Sequence, residues 1–420
     1  MRISSSLFFR TGLNSINQQQ SDLVRIFQQI GSGQRMVNPS DDPLAAAQTI
    51  NLSQAQAMNA RYGENREVAK RALGEEENIL NSVTLQLQDV QTRLVEAANG
   101  TLSDSDRSTL ATVLESAMDT LLGYANSKDG SGQYLFSGSK GTTQPFDTSF
   151  NYLGDGLTRN IQVEQTRQMD SADNGETVFL RANPGSTAYT TTADSSNKGT
   201  GIVSGPNGSS TAEGVFGSYT IKFGPVDPTT SKITYTVDGL DFVGDPANAP
   251  TLPIQGELTP GDKAQRISLP GGVSIQLEGL PQDGDSFTVG AVTGNPDQMN
   301  LFKNLESVVT ALRQPASGDP AAQAALRNTM NSAIQRISEN YDNVLTVRSS
   351  VGTRLNEIDA LSANGALRTI NYKQELSRLE DLDYYQATTQ LELRKSALEA
   401  AALAFRKIQS TNLFSLNSKG

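Results

Sequence analysis

The chain has 420 residues, enough to bury more than one core without disulfide or metal staples. Lysine and arginine number 34 against 45 aspartates and glutamates, and a net charge of −11 argues against binding nucleic acid by counterion displacement. Histidine and cysteine are both absent, which excludes a Cys-containing zinc site, a Ser-His-Asp triad, a thiol nucleophile and any imidazole acid or base.

No apolar run approaches the ~18 residues that mark a membrane-spanning helix. The first 20 residues lack both the apolar stretch and the cleavage site of a signal peptide, so the expectation is a cytosolic chain or one exported without cleavage. Of the 16 prolines, 12 lie between 141 and 300, with 22 of the 36 glycines. Long helices are therefore expected on either side, with a different structure between them.

In chain order, Phe9, Leu13, Ile16, Gln20, Leu23, Phe27 and Ile30 follow a 4-3 rhythm, the seam of a coiled-coil helix. Gly31-Ser-Gly33 breaks it, and Asn38-Pro-Ser-Asp-Asp-Pro43 forms a turn that caps a new helix. Ala69, Leu73, Glu76, Leu80, Val83, Leu87, Val90, Leu94 and Ala97 continue the rhythm with one acidic interruption. A third helix starts at Ser103-Asp104, with Leu110, Leu114, Ala117 and Leu121 on its face. The middle reads as strands at 161–164, 219–223, 233–237, 273–277 and 287–289, bounded by turn residues. Residues 185–214, rich in Ser, Thr, Asn and Gly, are expected to be a mobile loop. Leu301, Leu305, Val308 and Leu312 mark a short helix, and a long amphipathic helix runs from Leu326 through Ile358 to Leu382, with a possible break at Asn364-Gly365. Leu391, Leu398 and Phe405 then repeat at seven, with Ala387, Ala401 and Ile408 in the partner register and Arg394 as a flaw.

These elements predict a mainly α fold with an inserted β domain, the helices of both chain ends forming an antiparallel rod. Residues 1–40 and 384–420 pair as a terminal coiled coil, 41–140 and 300–383 form a helical rod domain, and 141–299 an outer β-rich domain. A two-helix seam of about six heptads is marginal alone. Phe8, Phe9, Phe27, Phe405 and Phe414 supply more apolar surface than one seam hides. The ends are thus expected to order fully only when neighbouring subunits bury them. The assembly interface assigned from this pattern is Phe9, Leu13, Ile16, Leu23, Phe27, Ile30, Leu391, Leu398, Phe405 and Ile408.

Gly31-Ser-Gly-Gln-Arg-Met-Val-Asn-Pro-Ser-Asp-Asp-Pro-Leu-Ala-Ala46 closely resembles a signature of the flagellin family, in the form carried by its hook–filament junction members. Asn99-Gly-Thr-Leu-Ser103, Gly132-Gln-Tyr-Leu-Phe-Ser-Gly138, Asp381-Leu-Asp-Tyr-Tyr-Gln-Ala-Thr-Thr-Gln-Leu391 and Thr411-Asn-Leu-Phe-Ser-Leu416 are similar to the same pattern, over residues 1–146 and 300–420. The resemblance implies a structural, non-enzymatic subunit of the bacterial flagellum. Its terminal helices would line an inner layer, and its variable β domain would face outward. It further implies a homo-oligomeric ring that contacts flagellin and a companion hook-associated protein. Export would be by the flagellar type III route without cleavage, with a chaperone on the C-terminal helix, to an extracellular position. No cofactor and no metal are expected. A flagellin that builds the filament itself, and a secreted coiled-coil effector or translocator, are the alternatives.

The remaining motifs have plainer readings. Asn38, Pro39, Ser40, Asp41, Asp42 and Pro43 read as a structural corner, with the two acids at a helix N-terminus where negative charge is favoured. Asp129-Gly-Ser-Gly lacks the acid spacing of a calcium loop and reads as a turn. Ser137-Gly-Ser-Lys140 has a nucleophile spacing without its companion motifs. Glu75-Glu-Glu77 splays by ~100° per residue and reads as a solvated face, with Glu76 alone interrupting a seam. The 4-3 rhythm, broken by Gln20 and Arg394, favours helix assembly over stable insertion in a membrane.

Overall fold

The structure is a computed structural model and describes residues 5–259, 263–293 and 296–410. Three helices come first: α1 (Ser5–Ser32), α2 (Pro43–Ala97) and α3 (Asp104–Ala125). The hairpin β1 (Asn160–Glu164) and β2 (Arg167–Asp170) and the short α4 (Gly175–Phe179) follow. Then come β3 (Tyr189–Ala193), β4 (Ile202–Asn207), β5 (Val215–Val226), β6 (Ile233–Val243), β7 (Ile254–Leu258), β8 (Gln265–Ser268), β9 (Ser274–Glu278) and β10 (Ser286–Ala291). The chain closes with α5 (Leu301–Arg313), α6 (Pro320–Glu380) and α7 (Tyr384–Ser410). No helix among the described residues is long and apolar enough to cross a membrane.

The chain divides into two compact units: the described residues up to 64 with those from 360 onward, and residues 65–359. In the second unit, the predicted row of α2 from Ala69 to Ala97 is buried throughout, Glu76 included. It lies beside α6, whose Ile337, Val344, Val351 and Ile358 are buried. Gln88 Nε2 donates to Tyr341 Oη at 2.7 Å, and Arg348 Nη2 meets Glu77 Oε1 at 2.7 Å. Helix α3 starts at Ser103 because its side chain and that of Asp106 cap one another reciprocally, and it packs on α5. Residues 126–180 close over these helices through an aromatic cluster, in which Phe302 meets Phe146 at 5.0 Å and Phe179 at 5.7 Å between ring centroids.

The strands form two antiparallel sheets besides the β1–β2 hairpin, in the orders β3-β10-β5-β6-β7 and β4-β9-β8. Alternating inward residues explain the pairing. Phe287 lies opposite Ile221 and Val289 opposite Tyr219, and these share one core with Ile267, Ile275 and Leu277 of the smaller sheet.

Two departures from the sequence reading show distant residues deciding local structure. Residues 185–214 are not a mobile loop: they hold β3 and β4, one in each sheet. The reason is a polar stripe on α6. Asn328 Nδ2 donates to Gly201 O and its Oδ1 accepts from Val203 N–H, both at 2.8 Å. Asn331 Nδ2 donates to Val203 O at 3.1 Å, Ser332 Oγ donates to Thr191 O, and Arg336 donates to Thr192 Oγ1. Further along, Asn340 donates to Met299 O and Asn343 to Thr177 O, at 2.9 and 2.8 Å. A Ser/Thr-rich segment thus becomes strand because a helix more than 120 residues later satisfies its backbone. The second departure is Asn364-Gly365, which does not break α6. Gly365 is buried, and its carbonyl accepts from Asn59 Nδ2 at 2.9 Å.

Candidate assembly interface

In the first unit, α1 and α7 pack antiparallel. Arg394 pairs with Asp22 at 3.2 Å and donates to Gln19 Oε1 at 3.2 Å. At the distal end, a Cβ on Gly12 would lie 3.1 Å from the Phe405 ring, so the missing side chain is what lets that ring approach. At the other end the Tyr384 hydroxyl approaches Gly33, whose φ is +72°.

The less exposed line on α1 that includes the contacts of Gly12 and Gln19 is Gly12, Ile16, Gln19, Leu23, Ile26 and Ile30, of which Ile26 is buried and Ile16, Leu23 and Ile30 half-buried. On α7 it is Ala387, Leu391, Arg394, Leu398, Ala401 and Phe405. Of the assigned residues, Ile16, Leu23, Ile30, Leu391, Leu398 and Phe405 fall on these two lines. Leu13 and Phe27 do not: they are 51% and 55% exposed, on an adjoining stripe of α1 with Gln20 and Val24. The side chains of Phe9 and Ile408 lie outside the described residues, as does Phe414. Sequence reasoning missed Gly12, Gln19 and Ile26. It took Arg394 as a flaw, yet its guanidinium sets the register against Asp22 and Gln19. Helix α7 carries its own uncovered apolar side chains, Leu393 at 66% and Leu403 at 62% exposed.

The turn at Asn38–Pro43 is a cross-braced corner. Asp41 Oδ2 accepts the N–H groups of Val37 and Asn38 at 3.1 and 3.0 Å. Asp42 Oδ1 caps α2 by accepting Ala45 N–H at 3.0 Å, with Pro43 as the first helical residue. Asn38, Pro39 and Ser40 are exposed. Arg35 ties this corner to the break between α6 and α7. Its N–H donates to Glu380 O at 2.7 Å, its Nε and Nη2 donate to Leu379 O, and its Nη1 meets Asp42 at 3.3 Å. Leu382 N–H returns a bond to Gly33 O at 3.0 Å, and Asp383 caps α7 through Tyr385 and Gln386 N–H. Two helix breaks, some 340 residues apart in sequence, thus brace each other.

The other singled-out motifs serve their own loops. Asp129 Oδ1 accepts Ser131 and Gln133 N–H, both at 2.9 Å. Ser137 Oγ donates to Tyr134 O, while Lys140 Nζ donates to the carbonyls of Leu153 and Gly154. Among the described residues no cluster of three or more acids is placed to hold a metal. Helices α1 and α7 are each covered along one line and leave apolar side chains uncovered elsewhere.

Two family models match the chain, the bacterial flagellin N-terminal helical region over residues 3–141 and the bacterial flagellin C-terminal helical region over residues 334–416. Together they span just over half of its length. The chain belongs to the flagellin family. This family member is 27% identical over 421 residues to flagellar hook-associated protein 3 of Escherichia coli (strain K12), covering 99% of the chain and 100% of that protein. It is 28% identical over 418 residues to the protein of the same name from Salmonella typhimurium, with the same coverage. Among solved structures it resembles flagellar hook associated protein-3 from Legionella pneumophila, at a TM-score of 0.65 and 27% identity. That match covers 78% of this chain and 98% of the other. It also resembles FlgL of Xanthomonas campestris, at 0.63 and 27%, over 78% and 99%.

Proposed function

We propose that this chain is a structural subunit of the bacterial flagellum, placed between hook and filament and built into a ring of identical copies through α1 and α7. The observation that carries the assembly reading is the uncovered stripe of Leu13, Val24 and Phe27 beside the stripe that α7 already occupies. Apolar side chains lined up along a helix favour burial against another helix, at roughly 25 cal/mol per Å² removed from water. The junction position rests on relatives that match from end to end. In this reading residues 1–40 and 384–420 form the inner layer, 41–140 and 300–383 the surrounding rod, and 141–299 the outward domain. Flagellin and a companion hook-associated protein are the neighbours along the axis. An export chaperone covers the apolar side of α7 until assembly, and export to the cell exterior proceeds without cleavage. The role is mechanical, and no residue is assigned to catalysis.

Removing residues 391–420 tests the assembly role: incorporation into flagella should be lost while a soluble monomer remains. Normal filaments from cells carrying that truncation would refute it. Immunogold labelling of intact flagella tests the position. A single band at the hook boundary is expected, and signal along the whole shaft would assign the chain to the filament instead.

A further inference from the structure

Glu76 sits in the buried row of α2 between Leu73 and Leu80, and none of its surface reaches solvent. Its two sequence neighbours are engaged elsewhere: Glu75 accepts Gly130 N–H and Glu77 pairs with Arg348 of α6. Glu76 Oε1 accepts Asp173 N–H at 3.1 Å. Its Oε2 is buried with no hydrogen-bond partner among the described residues. The charged groups that act on it come from two other elements, Asp173 from the segment joining β2 to α4 and Arg354 from α6. Those two pair with each other, both nearly buried, and Arg354 also donates to Asp170 O at 3.2 Å.

The charge count decides the state of the acid. Asp173 and Arg354 already cancel. Ionising Glu76 would leave one net negative charge in the interior, beside another carboxylate and without a cation of its own. A proton on Glu76 keeps the group neutral. We propose that Glu76 is a proton-controlled fastener: protonated, it holds residues 170–174 against α2 and α6, and its ionisation loosens that segment. Burial, reinforced by the Asp173 carboxylate, pushes the Glu76 carboxyl up to about 8. The fastened state therefore binds the proton more tightly than the loosened one. Fastening is complete below the ordinary glutamate value of 4.5 and is lost as pH rises toward about 8.

Hydrogen exchange at the Asp173 amide of the full chain, corrected for the intrinsic rate, reads the loosening. Protection should fall by up to about tenfold per pH unit between about pH 5 and pH 8 and stay flat in Glu76→Gln. Carbon-13 spectra of glutamate-labelled chain should show one carboxyl titrating near pH 8 that the same substitution removes. In Asp173→Asn, Arg354 is free to pair with an ionised Glu76, so the fall should shrink while circular dichroism is unchanged. Flat protection in the unmodified chain, an equal fall in Glu76→Gln or in a folded Asp173→Asn, or no glutamate titrating above about pH 6 would each overturn the proposal.

Discussion

The two-sheet region of 189–291 and the α1–α7 pair solve the burial problem in opposite ways. Each sheet covers the inward residues of the other, so Tyr219, Ile221, Phe287, Val289 and Ile275 are closed off within one segment of chain. The helix pair covers one stripe per helix and leaves Leu13, Val24, Phe27, Leu393 and Leu403 in solvent. The sheet core is completed within the monomer, with α6 supplying the backbone partners of β3 and β4. In the function proposed above, the half-covered pair is completed by neighbouring copies of the chain.

Substitutions should separate these cases. The largest effect is expected in the sheets: Phe287→Ala removes a ring that packs edge-on against Phe223 with centroids 5.9 Å apart. It should cost about 3–5 kcal/mol in chemical denaturation of the monomer. Asn328→Ala leaves the buried Val203 N–H and Gly201 carbonyl without their partner and should cost about 1–3 kcal/mol, with faster hydrogen exchange confined to β4 and β9. Arg394→Ala removes a partly exposed ion pair and should cost the monomer at most about 1 kcal/mol. Phe27→Ala should change monomer stability least, within about 0.5 kcal/mol, yet reduce incorporation into flagella. A monomer destabilised as much by Phe27→Ala as by Phe287→Ala would erase the distinction between the two regions.

The helical framework was legible in the residues because its rhythm is long and local. The rows from Ala69 to Ala97 and from Leu301 to Leu312 are buried as their spacing implies. The α1 stripe was legible only as a band. At about 100° per residue a 4-3 pattern marks a strip wide enough for two neighbours. Which half takes α7 depends on Gly12 fitting Phe405 and on Gln19 and Asp22 meeting Arg394, all matters of the opposite chain end. Strands β3 and β4 were illegible for the same reason. Thr190, Thr191 and Val203 look like loop until Asn328, Asn331 and Ser332 supply their partners from α6. Nothing near those asparagines in sequence shows that their partners are distant backbone groups. Glu76 was visible as an interruption of a seam, but its full burial depends on Asp173 and Arg354, both remote.

Hydrogen exchange on the monomer and on assembled flagella, compared at α1, α7 and the 189–291 sheets, tests the central claim most directly. The account predicts fast exchange over α1 and α7 in the monomer, slow exchange in the sheets, and a slowing of α1 and α7 alone on assembly. Terminal helices as protected in the isolated monomer as β5 and β10, and unchanged on assembly, would contradict it.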